Sequence, residues 1–355
     1  MSLKLYQHLL VLCVLALLIL TLLLFVFLLL QRVIASLAAA HAQRRRAALA
    51  PLLHRALGGR AAAGDLARAL RSLDRPVIRN MLLRLAMDLT GEEANAIAHL
   101  YRDLGLRRSD LARLESRSRR RRATAATNLG ALRAREALPA LLLALSDADT
   151  HVRMAVVRAI GEVGNPAALA AVVPMLGDRS RAVARQAEDI LIKQGREVVG
   201  EILTYTRATD SLIGRRAAVE LLGWLRAPEA TDLLLGLFDD PDLELRIKAV
   251  KAAAVIGDSR FLGPFHTLSQ DPQWEIRCQA LKGLRVLGSA DSVERLQVAL
   301  HDDHWWVRFY AALALADLGA SGKVALQDAL RDAQPVVRDM ARYLLKRGTA
   351  TPAPL

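Results

Sequence analysis

An all-α fold, a right-handed alpha-alpha solenoid preceded by one transmembrane helix, is the class this sequence predicts, and three observations predict it. The first is a marker arginine: Arg122, Arg153, Arg185, Arg215, Arg246, Arg277, Arg308 and Arg338 follow one another at spacings of 31, 32, 30, 31, 31, 31 and 30 residues. A fixed period of this length builds a stack of small supersecondary units, each burying its apolar face against its neighbours. The second is the pattern inside each period, which reads helix, short turn, helix, with aromatics scarce and no useful β-branched alternation to support a strand. The third is an unbroken apolar run, Leu9 to Leu30.

That run has only Cys13 and Thr21 as mildly polar members. As a helix it measures about 33 Å, enough to cross a bilayer core of about 30 Å. A cleaved secretory signal is the competing explanation, and Ala40-His41-Ala42 has the form of its cleavage site. Signal cores are shorter, about 7–15 residues, and this motif lies twelve residues beyond the run, so a retained anchor is expected. Lys4 alone is basic before the run, whereas Arg32, Arg44, Arg45 and Arg46 follow it. The more basic flank stays inside, which places residues 1–8 outside and the repeats in the cytoplasm, at an inner membrane. Cys278 is the sole cysteine beyond the span, consistent with a reducing compartment.

Residues 31–115 read as a basic, helical, membrane-proximal region. Pro76-Val77-Ile78-Arg79 resembles a degenerate repeat, and Gly58-Gly59, Gly64 and Gly91 punctuate the segment. The formal charge of +13 is concentrated here: residues 31–122 hold 20 Lys/Arg against 8 Asp/Glu, while residues 123–355 hold 28 of each. Arg44, Arg45, Arg46, Arg119, Arg120 and Arg121 are therefore the candidates for contact with anionic lipid or an acidic partner, each basic residue near such a surface being worth about 1 kcal/mol. A nucleic-acid reader would spread its positive charge along the stack, and this neutral stack does not.

Residues 116–347 hold the regular units. In Asp302 to Gly319 the apolar residues 307, 311, 315 and 318 form one buried stripe, an Asp caps the start and Gly319 ends the helix. A second helix is expected from Lys323 to Arg331. An Asp recurs six residues before the marker at Asp147, Asp240, Asp271, Asp302 and Asp332, followed by Pro at Pro241 and Pro272. Two units depart: Arg179 stands where the Asp belongs, and Gly214 precedes Arg215. Residues 348–355 read as a disordered tail.

The pattern D-P-x-x-x-V/L/I-R-x-x-A followed by a Gly turn resembles the short bacterial HEAT-like repeat, also found in phycobilisome lyase-type proteins, over residues 116–347. The Ala-, Arg- and Leu-rich composition fits a bacterial source. The resemblance implies that Asp147, Arg153, Asp240, Arg246, Asp271, Arg277, Asp302, Arg308, Asp332 and Arg338 pair along the stack as a structural ladder.

The sequence carries no phosphate loop, no G-x-S-x-G, no H-E-x-x-H and no His-Glu dipeptide of the kind that holds iron in HEAT-type deoxyhypusine hydroxylase. His301-Asp302-Asp303-His304 has metal-ligand types, but a helix cap accounts for it more simply. Leu212, Leu243, Trp274 and Trp305 share one register position, which suggests packing between repeats. Trp306 stands where Glu244 and Glu275 stand in earlier repeats, and an aromatic at a polar position is a candidate partner contact. These observations predict a non-enzymatic scaffold without cofactor or small-molecule substrate, binding an inner-membrane protein. The resemblance to HEAT proteins that accompany glycosyltransferases of polysaccharide synthesis or export names such an enzyme as the partner. A bilin lyase or isomerase-like enzyme and a nucleic-acid binder are the alternatives.

Overall fold

The structure, a computed structural model, describes residues 3–57, 64, 66, 68, 70, 74–89 and 91–347. Gly58-Gly59 and the tail 348–355 lie outside the described residues. Among the described residues there are helices and turns but no strand. The chain divides into two compact units, Met1–Glu115 and Ser116–Leu355.

The first unit begins with α1, Leu3–Leu57, one helix that runs without a break through the apolar segment and through residues 40–42. Within it, Leu15–Ile34 has a mean hydropathy of 2.7 and no residue buried against the rest of the chain. Among the described residues, helices follow at α2, Arg75–Asp88; α3, Gly91–Asp103; and α4, Leu106–Leu114. Leu49, Leu53, Ile78, Leu82, Ile97 and Leu100 form their core. A polar network is buried beside it. Arg79 is 7% exposed and lies 3.4 Å from Asp110, which is fully buried. Arg79 Nε also donates to the Tyr101 hydroxyl at 3.1 Å, and that hydroxyl donates to Asp110. Burial, with the Asp110 charge beside it, pushes the Tyr101 phenol well above its usual range. The arginine of the degenerate repeat is therefore a structural part, neutralised inside the unit.

The second unit holds eight long helices, one around each marker arginine: α5, Arg119–Ala131; α7, Thr150–Val163; α9, Arg181–Gln194; α11, Leu212–Trp224; α13, Leu243–Ile256; α15, Trp274–Leu287; α17, Trp305–Asp317; and α19, Pro335–Arg347. Shorter helices lie between them: α6, Leu138–Ala144; α8, Pro166–Leu169; α10, Val199–Ala208; α12, Thr231–Gly236; α14, Leu262–Leu268; α16, Val293–Ala299; and α18, Gly319–Ala329. Long helices pack on long helices in sequence order. The apolar stripe buries one residue per turn, as in Val152, Val156 and Ile160 or Val307, Ala311 and Leu315. Helix α18 starts at Gly319 rather than at Lys323, because Gly319 at φ +70° turns the chain at once.

Eleven residues after the marker the chain must adopt positive φ to leave the long helix. Gly257 and Gly288 do so without strain. Arg133 and Arg226 occupy the same register position at φ +48° and +47°. Arg226→Gly is expected to raise the melting temperature, by relieving about 1 kcal/mol of left-handed strain; an unchanged or lower value would show that the strain is absent.

The irregular units have a local cause. Residues Val173–Gly177 form a 3-10 turn that packs on both α9 and α11. The hydroxyl of Tyr205 fills the space beside Gly214, where a Cβ would lie 2.0 Å from it. Any larger residue before Arg215 would displace Tyr205, so Gly214 reflects a close approach at this point in the stack.

Candidate interaction surfaces

The ladder residues meet in a repeated three-part arrangement. First, each Asp closes the turn before its long helix: Asp147, Asp178, Asp240, Asp271, Asp302 and Asp332 each accept the backbone N–H two residues on, at 2.7–2.9 Å. Second, the marker arginine reaches back to the carbonyl six residues earlier, as in Arg246 to Asp240, Arg277 to Asp271, Arg308 to Asp302 and Arg338 to Asp332, at 2.7–2.8 Å. Third, the same guanidinium grips the Asp of the following repeat, 25 residues on. Arg122 holds Asp147, Arg153 holds Asp178 and Arg277 holds Asp302, each with two hydrogen bonds of 2.6–2.9 Å.

The rungs are not uniform. Asp178 takes the place that Arg179 vacates, one residue earlier, since the spacing of 32 between Arg153 and Arg185 leaves room for it. Arg277 pairs with the side chain of Asp302 and takes only the carbonyl of Asp271. Arg215 reaches Asp240 only at 3.7 Å, and its Nε is buried without a partner. Two rungs are open. Arg246 makes no ion pair with Asp271; a cavity of about 320 Å³ lies there, lined by Phe238, Asp239, Arg246, Asp271, Pro272 and Gln273. Asp332 is held by His301 Nε2 at 2.9 Å, and Arg308 Nε is left buried without a partner. A second set of pairs was not foreseen: Arg216 holds Asp242 and Glu244, and Glu220 receives Lys248 and Lys251. Its signal was the charged residues one and five positions beyond the marker Arg215.

These contacts set the acid response. Hydrogen bonds from Arg122 hold the Asp147 carboxyl below the usual range, and those from Arg153 and the Ser180 amide hold Asp178 below it despite burial. Bonds from Arg260 bring Asp258 down to about 2. A carboxyl depressed on folding adds stability that is complete above the unfolded value, about 3.9, and is lost as pH falls through the folded value. The solenoid is expected to keep its melting temperature from pH 7 to about 5 and to lose it steeply between about 4 and 2. A fall that begins at pH 6 would implicate histidines instead.

The candidate contact residues are placed unequally. Arg44 is exposed, but Arg45 is not available to a partner: it is half-buried and donates from Nε to Asp74, itself 2% exposed, at 2.7 Å. Arg46 is half-buried. Arg119, Arg120 and Arg121 are exposed in the first turn of α5, with Arg119 3.4 Å from Asp149. Positive charge opposes the helix dipole there, so these residues do not serve helix stability.

Trp306 is 39% exposed, its ring edge-on to Trp305 at 4.7 Å and stacked on Tyr310 at 6.1 Å. The column expected to pack between repeats does so only at Trp274, whose ring stacks on His304 at 3.8 Å. Leu212, Leu243 and Trp305 are 42%, 38% and 46% exposed. His301 is held by Asp332, and the His304 ring stacks on Trp274 with its Nδ1 buried and without a partner; among the described residues no group of three metal-ligating side chains converges. Cys278 is buried, and desolvation pushes its thiol up to about 12. Iodoacetamide at pH 8 is expected to leave it unmodified until the solenoid unfolds; rapid labelling of the folded protein would contradict its burial.

No curated protein matches the chain. Among solved structures, an engineered protein is 18% identical, covering 86% of this chain and 95% of its own, with a TM-score of 0.39. Kap95p, in a study of its binding to RanGDP, is 13% identical with a TM-score of 0.47; the alignment covers 82% of this chain and 47% of that one. The CpcE–CpcF complex of phycocyanin lyase from Nostoc sp. PCC7120 is 18% identical over 67% of this chain and 94% of that chain, with a TM-score of 0.30. The family model for HEAT repeats matches residues 111–191 and 264–346, both overlapping the stack of repeats.

Proposed function

We propose that this protein is a membrane-anchored, non-enzymatic scaffold whose HEAT-repeat solenoid binds another membrane protein. One observation carries the proposal: a 20-residue apolar segment, Leu15–Ile34, none of it buried, precedes the repeats in the chain. An exposed apolar segment of this length has no partner in water, and a bilayer supplies one. In this reading the solenoid faces the cytoplasm at the inner membrane, which the more basic flank after the span supports. The exposed Arg44 and Arg119 to Arg121 then lie on the chain that leaves the anionic leaflet, and lipid headgroups or an acidic partner are their natural contacts. The partner we name is a glycosyltransferase of polysaccharide synthesis or export, by likeness of architecture.

The full-length protein is expected to remain with membranes after carbonate washing, and a reporter active only outside the cytoplasm is expected to be silent when fused after Leu355. A mature form that begins near Gln43 and is released from the membrane would overturn the anchor. Deleting 123–347 while keeping the anchor is expected to abolish recovery of the partner without changing insertion. Turnover of a substrate by the purified protein alone would replace the scaffold by an enzyme.

A further inference from the structure

The turns that open α13, α15 and α17, residues 239–245, 271–276 and 302–307, carry eight carboxylates and no Lys or Arg. Ladder and side pairs occupy some of them: Asp240, Asp242, Glu244 and Asp302. Asp239, Asp271, Glu275 and Asp303 make no ion pair with Lys or Arg among the described residues. Asp239 and Asp271 line the cavity of about 320 Å³ at the open rung and outnumber Arg246, its basic lining residue.

The same edge carries Trp274, Trp305 and Trp306, three of the chain's four tryptophans. Their rings are held in advance: Trp274 on His304, Trp305 on Phe309 at 5.2 Å, and Trp306 on Tyr310. Packing of the stack does not require this cluster. Other units put Glu244 and Glu275 at the place of Trp306, and Ala217, Lys248 and Gln279 at the place of Tyr310. Rings fixed before contact lose little freedom on binding, and a Trp face attracts Lys and Arg as well as apolar side chains.

We propose that this edge is a docking surface for a segment of a partner protein rich in Lys or Arg and bearing apolar side chains. A cationic side chain enters the cavity between Asp239 and Asp271, others lie over the tryptophan faces, and apolar side chains cover Trp305 and Trp306. The excess carboxylates repel an anionic bilayer and nucleic acid alike, which leaves a basic polypeptide as the complementary occupant. Cytoplasmic flanks of membrane proteins have this composition, so the inference gives chemistry to the partner of the scaffold and rests on that reading for the partner's class.

The test uses the full-length protein in mild detergent and an immobilised peptide array in which Lys/Arg content, Leu/Phe content and Asp/Glu content vary independently. Binding is expected to rise with Lys/Arg and Leu/Phe together and to weaken with salt. Trp305→Ala with Trp306→Ala is expected to weaken the best peptides about tenfold or more. Asp239→Asn with Asp271→Asn is expected to weaken them about as much and to flatten the salt dependence, since Asn keeps the turn-closing bond to Gln273. Circular dichroism of both variants establishes that they fold. Binding that follows acidic or apolar content alone, or that survives both double variants, overturns the proposal. So does self-association through the Arg117–Arg121 stretch that both variants abolish while no peptide binds. If no peptide binds but the membrane partner is still recovered through 123–347, the docking edge fails and the scaffold stands.

Discussion

Arg153→Ala is expected to lower the melting temperature of the protein on the order of 10 °C. Arg153 is 3% exposed, and its side chain and that of Asp178 are 4% and 7% exposed, the most buried of the rungs that join neighbouring repeats. The guanidinium makes two bonds of 2.8 Å to Asp178 and one of 2.8 Å to the Asp147 carbonyl. Alanine removes these, with a fourth bond of 3.2 Å to the Ala148 carbonyl, and leaves a carboxylate inside the stack with only the Ser180 amide donating to it. Breaking a buried pair from one side costs about 3–5 kcal/mol, and each kcal/mol is worth about 2–4 °C in a domain of this size. Removing both charges, as Arg153→Ala with Asp178→Ala, is expected to cost less than the sum of the single losses, since no lone charge remains. Arg119→Ala, at a side chain 74% exposed, is the control and should shift nothing measurable. Equal shifts for Arg153→Ala and Arg119→Ala would show that the ladder bears no load.

Gly130→Ala is expected to destabilise although Gly200→Ala stabilises. Both residues lie in helices, where alanine is favoured over glycine by about 1 kcal/mol. Nothing lies within 4 Å of a Cβ built at Gly200, so the helix preference acts alone. A Cβ at Gly130 would stand 2.6 Å from the backbone Cα of Ala159 and 2.8 Å from its Cβ, where α5 and α7 touch. Two packed backbones do not separate for one methyl group without opening the contact around it, so about 1–3 kcal/mol is lost. Thermal melts of the two variants are expected to move in opposite directions. Parallel shifts would mean that the long helices are not in backbone contact at this point.

Both effects depend on a distinction that runs through the molecule. The marker arginines locate all eight long helices, because a period of about 31 residues counts the chain needed for two helices and two turns. The glycine eleven residues after a marker announces the helix end, since few other residues tolerate positive φ; Arg133 and Arg226 show that the rule bends where the stack holds the turn. Partners were harder to read. Asp271 and Asp302 stand at identical places in their repeats, yet Asp302 receives Arg277 and Asp271 receives no arginine. Arg45 looks like its neighbours in a basic run, but Asp74 claims it from 29 residues away.

Local patterns in one chain thus determined the helices, their order, the apolar span and the excess of positive charge near it, because periodicity and composition act over a few turns of chain. Only the tertiary structure decided which rungs close, which arginine is internal and which aromatic faces outward. Those outcomes turn on distances between residues 25 to 31 positions apart. A shift of one residue in a turn, as at Asp178, or one tyrosine hydroxyl against Gly214, moves a charged group into or out of hydrogen-bond reach.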